Sequence, residues 1–160
     1  DIGQSLAGWF GAGTTLGDVV FSYTSPEVGA RALACAAVIA AWRHVDARVR
    51  PTTQFSNTFD HFAANLAFVG AVAWCVKWPW LAAGLPLVAG FAFISTRHAF
   101  NTGREAFLVY GVLYAALGVC VAVVPHVDDF TAACALVLLV VGASATAIWQ
   151  MRRQLREPVA

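Results

Sequence analysis

Long apolar blocks separated by short polar clusters organise this chain, and five of the blocks are candidates for membrane spans. They run from about Glu27 to Trp42, Asp60 to Trp78, Pro79 to Thr96, Glu105 to Val124 and Phe130 to Gln150. Each is close to the roughly 17–25 residues a helix needs to cross the hydrocarbon core. Ser25-Pro26-Glu27 is a helix start: a capping hydroxyl, a proline suited to the first turn, and an acid against the positive end of the helix dipole. Thr102-Gly-Arg-Glu105 fits a capping box ahead of the fourth block, and Asp128 and Asp129 precede the fifth. The expected fold is all-α, a polytopic transmembrane helix bundle of about five spans.

Basic residues orient the bundle. Arg43, Arg48 and Arg50 follow the first block, Arg97 and Arg104 separate the third from the fourth, and Arg152, Arg153 and Arg156 follow the fifth. Alternating spans place all of these on one side, against Arg31, Lys77, Asp128 and Asp129 on the other. By the positive-inside rule the arginine side, and with it the C-terminus, is cytoplasmic. Trp78 and Trp80 at the outer turn, and Trp42 and Trp149 near the inner ends, suit interfacial anchoring. The domain reading is a glycine-rich segment over 1–26, a bundle over 27–150 and a basic cytoplasmic tail over 151–160.

Residues Ile2 to Tyr23 carry Asp18 and Gly3, Gly8, Gly11, Gly13 and Gly17, but no lysine or arginine. Glycine weakens a helix, so the segment reads either as an outer-surface or re-entrant stretch or as a further span with a buried carboxylate. The chain opens on Asp1 rather than methionine and shows no intact signal peptide, which points to a processed form or part of a longer protein.

On a helix at 100° per residue, Asn57, Asp60, His61, Ala64, Asn65, Ala71 and Cys75 share one side of the second block. Phe55, Phe59, Phe62, Leu66, Val69 and Ala73 share the other. The bulky side suits lipid, and the small polar side suits a bundle interior. Alternation brings His44, Asp46, His98, Asn101 and Glu105 to the same membrane level. Tyr110 and Tyr114 lie deeper, and a buried phenol needs an acceptor, for which Asn65 is placed. Small residues recur at four-residue spacing: Ala32/Ala36/Ala40, Ala63/Ala67/Ala71, Gly111/Ala115, Gly118/Ala122 and Gly142/Thr146.

The polar inner-face cluster is thus Asn57, Asp60, His61, Asn65, His98 and Glu105, and three readings compete for it. In the first, Asn57 and Asp60 cap a helix, the histidines sit at headgroup level, and Asn65 bonds across helices. In the second, His61 and His98 hold a haem or a metal from neighbouring antiparallel helices, without the H-x-x-x-H or E-x-x-H spacing of a built metal motif. In the third, Asp60, His61 and Glu105 form the inner mouth of a proton or ion path.

Composition narrows the function. The chain is 59% hydrophobic and 12% charged, with net charge +1 and mean hydropathy +0.68. That is about half the usual charged fraction of a soluble domain, and there is no basic face to neutralise nucleic-acid phosphates. Cys35, Cys75, Cys120 and Cys134 lie inside apolar blocks without C-x-x-C spacing, so they read as small buried residues. No Ser/His/Asp set, phosphate-cradling loop or paired carboxylate points to an enzyme. The leading expectation is a non-catalytic membrane protein, an accessory or scaffolding subunit whose partners are the bilayer and other membrane subunits or further copies of itself. Trp74 and the glycine-rich segment offer contact surfaces. An oligomeric transporter or channel and a haem- or metal-binding membrane protein are the alternatives.

The run FDHFAANLAFVGAVAW followed by GREAFLVYGVLYAALGV resembles the C-terminal half of large bacterial multi-spanning membrane proteins, a family defined only as a domain of unknown function. The resemblance covers about Thr58 to Val121. It implies a bacterial inner-membrane setting and carries no catalytic residues.

Overall fold

The computed structural model describes residues 26–49, 56–76 and 79–156. Among them all regular structure is helical: α1 (Pro26–Val49), α2 (Ser56–Cys75), α3 (Leu81–Thr102), α4 (Glu105–Val123) and α5 (Phe130–Arg156), with a 3-10 turn at Val124–His126 before α5. The expectations for Ile2 to Tyr23, for Lys77 and for Trp78 lie outside the described residues.

The helices follow the apolar blocks but overrun them at the arginine-bearing ends. α1 continues past Trp42 to Val49, α2 begins at Ser56, α3 reaches Thr102, and α5 extends to Arg156 through residues expected to form a tail. Arginine, alanine and leucine are good helix formers, and continuing the helix keeps backbone groups paired. The connection between α1 and α2 therefore shrinks to residues 50–55, and the polar groups of this end are carried on helices rather than on a loop. Among the described residues three stretches are long and apolar enough to cross a membrane: α1, α4 with its 3-10 turn, and α5. α2 and α3 carry polar residues toward one end, Asp60, His61 and Asn65 on one and Ser95, Arg97 and His98 on the other.

Helix ends show what the local sequence does. α3 stops at Gly103, whose φ of 68° is the left-handed conformation that glycine adopts freely. Asp129 caps α5, its carboxylate accepting from the backbone N–H of Thr131 at 3.1 Å and of Ala132 at 3.2 Å. The expected capping box at Thr102–Glu105 does not form. Thr102 still belongs to α3 and donates to the His98 carbonyl at 2.7 Å, while Arg104 takes the N-cap position of α4 without a side-chain cap.

α2 is the centre of the bundle. It packs against α1, α3 and α4; α3 packs on α4, and α5 rests on α4 and the 3-10 turn. Glycines set the closest approaches. A Cβ on Gly29 would stand 2.9 Å from the Gly70 carbonyl oxygen, and one on Gly84 would stand 2.7 Å from the Cys75 backbone nitrogen. Phe68 and Leu108 are the largest fully buried side chains. Phe68 stacks on Tyr114 with centroids 4.7 Å apart and meets Phe91 edge-on.

The two-sided reading of α2 holds at one end and fails at the other. Phe62 is 59% exposed, as a lipid-facing residue should be, but Ala73, expected on the same side, is 1% exposed. Val69 is still 38% exposed on that side, but the last turn of α2 has neighbours on several sides and no free face. Trp74 is partly buried, and its indole donates to the Pro26 carbonyl at 2.9 Å, which ties α2 to the start of α1.

Candidate functional site

Asp60 organises the polar end of the bundle. It lies one turn into α2 and its side chain is only 15% exposed. Arg43, from the overrun of α1, donates Nη2 to Asp60 Oδ2 at 3.2 Å. Its Nε also stands 2.9 Å from Oδ1 without hydrogen-bond alignment, so that contact is coulombic. Arg104, from the turn between α3 and α4, reaches Oδ2 with Nη1 at 3.4 Å. One carboxylate thus joins α1, α2 and the α3–α4 turn. Asp60 does not cap α2: it stands past the first turn, and two guanidiniums compete for its oxygens. Asn57 is helical, and its side chain lies outside the described residues.

A second network repeats the theme. Glu105 opens α4 and pairs with Arg152 and with Arg156, the latter at 2.9 Å, both one turn apart on α5. Asp60 and Glu105 are therefore each paired with two arginines that the sequence presents only as topology signals.

The histidines meet around one ring. His61 stacks on Phe107 with centroids 4.7 Å apart and meets Tyr110 edge-on. His98 approaches Phe107 edge-on, also at 4.7 Å. His61 Nδ1 and His98 Nε2 are both buried without a hydrogen-bond partner among the described residues. Asn65 stands where α2 faces α4: its Nδ2 donates to the His61 carbonyl at 2.8 Å and its Oδ1 accepts from the Tyr114 hydroxyl at 2.9 Å. That interhelical bond joins the residues that burial of a phenol had paired in the sequence.

Between α1, α2 and α3 lies a cavity of about 290 Å³. Its polar wall is Arg43, His44, Asp60, Ser95 and His98, and its apolar wall includes Ala67, Phe68, Phe91, Ile94 and Phe107. Ser95 is buried and donates to the Phe107 carbonyl at 2.6 Å, holding α3 against α4.

The structure thus brings Asp60, His61, Asn65 and His98 to one end and sets Glu105 in a neighbouring network with α5. Among the described residues no group of three or more metal-ligating side chains converges. The sequence reading missed Arg43 and Arg104 as partners of Asp60, and Phe107 as the ring both histidines share. Arg43 lies across a hairpin and Arg104 beyond two helices, so no spacing rule links either of them to Asp60. In comparisons with known proteins the chain matches no family model, no curated protein and no solved structure.

Proposed function

We propose that this protein is a non-catalytic integral membrane subunit that packs against partner membrane proteins through α5. In this reading all five helices span the bilayer, the arginine-rich end and the C-terminus face the cytoplasm, and the membrane is a bacterial inner membrane. The observation that carries the reading is the state of α5. It rests on α4 and the 3-10 turn, and leaves Val137, Leu138, Leu139, Val141 and Trp149 exposed. Gly142 sits in this stretch, with open space among the described residues where a side chain would be. A helix that meets lipid alone gains nothing from glycine, whereas small residues let a second helix approach closely.

Two features support this role over the alternatives. Asp60 and Glu105 are each held by two arginines, an arrangement that fixes a structure better than it relays protons. His61 and His98 both rest on Phe107, which fills space that a shared haem or metal would need.

Native mass spectrometry of the protein extracted from its own membranes in a mild detergent tests the proposal. A mass well above 17.0 kDa, and not a multiple of it, is expected, with the extra mass lost in Gly142→Leu. A bare monomer or a homo-oligomer overturns it.

A further inference from the structure

We propose that the cavity between α1, α2 and α3 is a binding site for one anionic membrane lipid, with the headgroup against Arg43 and an apolar portion against Phe91 and Ile94. The inference rests on the membrane placement but not on the partner proposed for α5.

The shape of the site comes first. α1 and α3 both pack on α2 but make no extended contact with each other among the described residues. The cleft between them is bordered by exposed Ala40 and Ile94, so it opens on the side of the bundle that a bilayer would cover. Its volume of about 290 Å³ stands at the lower edge of small-molecule sites, which begin at about 300 Å³. It admits part of a lipid, a headgroup with the first segment of a chain, and leaves the remainder in the bilayer.

The chemistry of the walls matches that division. Arg43 stands at the cleft, held in place by Asp60 and 37% exposed. A guanidinium carries five N–H donors, more than its contacts with Asp60 occupy. Asp60 itself faces the cavity and would repel an anion, but Arg43 and Arg104 together outweigh its single charge. His98 also stands in the wall and adds a polar ring beside Arg43. Behind these groups the wall is aromatic and aliphatic, which a water-soluble anion does not require and an acyl chain does. Basic pockets between helices at the cytoplasmic side are where anionic headgroups bind.

The test uses the full chain, delipidated in detergent and then offered phosphatidylglycerol, phosphatidylcholine or inorganic phosphate, with bound lipid read by native mass spectrometry. The expected result is retention of phosphatidylglycerol over phosphatidylcholine by about five-fold, the size expected for one basic residue at a membrane surface. That preference should disappear in Arg43→Gln. Because Arg43→Gln also frees Asp60, Ala40→Phe provides a second variant: Ala40 is exposed and lines the cleft, so the larger side chain obstructs the site and leaves the ion pair intact. Equal retention of the two lipids, a preference unchanged in Ala40→Phe, or inorganic phosphate displacing phosphatidylglycerol at equal concentration would each overturn the proposal. None of these readouts depends on whether Gly142→Leu sheds a partner.

Discussion

α4 and α5 are adjacent apolar helices, each with glycine in an otherwise bulky sequence, yet they use it differently. On α4, a Cβ at Gly111 would stand 2.8 Å from Thr96 Oγ1, and one at Gly118 would stand 3.1 Å from Val88 Cγ1, so both glycines are spent on close packing with α3. On α5, a Cβ at Gly142 would meet nothing within 4 Å among the described residues. Seen in the sequence, Gly111/Ala115, Gly118/Ala122 and Gly142/Thr146 are the same pattern. The difference teaches that small-residue spacing marks a face able to pack closely, and the number of neighbours decides whether it does. Among the described residues α4 lies between three helices and α5 flanks one.

Four substitutions break or sharpen this comparison, each read by reversible unfolding of the detergent-solubilised protein. Gly84→Val should have the largest effect. Its new Cβ meets backbone at Cys75, which cannot yield as a flexible side chain would, and overpacking of that kind costs about 3 kcal/mol. A loss under about 0.5 kcal/mol, the range of an ordinary surface change, would mean that α2 and α3 are not in close contact there.

Asp60→Asn comes next. It removes the charge that Arg43 and Arg104 share at a partly buried site, and hydrogen bonds to charged groups are worth about 1.5–3 kcal/mol. Restoring stability by the further change Arg43→Gln would confirm that the loss comes from unpaired guanidinium rather than from α2 itself.

Tyr114→Phe removes the interhelical bond to Asn65 and keeps the stack on Phe68. Interhelical hydrogen bonds in membranes average about 0.6 kcal/mol, and a loss beyond about 2 kcal/mol would show that the ring stack had been disturbed as well. Gly142→Leu is the smallest in stability, within about 0.5 kcal/mol for an exposed position. It is the most informative for function, because the purified chain should be unaffected while its association in the native membrane is lost. A large destabilisation of the isolated chain would show that the exposed face of α5 is already packed within one molecule.

Much of the polar end was legible in advance because helical periodicity is local. It placed Asp60, His61 and Asn65 on one side of α2, and a buried phenol's need for an acceptor linked Tyr114 to Asn65. The same reasoning misassigned Ala73, since a periodic face says which residues point together and not how many neighbours surround them. It also favoured a cap for Thr102 where the helix simply continued to Gly103.

The amino-acid sequence alone determined the helical class, the positions of the apolar blocks and the concentration of arginine at alternate turns. These follow from propensity, hydropathy and charge over stretches of about 20 residues. Only the tertiary structure decided that Arg43 and Arg104 converge on Asp60, that Arg152 and Arg156 hold Glu105, and that one phenyl ring serves both histidines. Those pairings depend on how closely helices approach one another, and that distance is set where Gly29, Gly70, Gly84 and Gly111 let backbones meet.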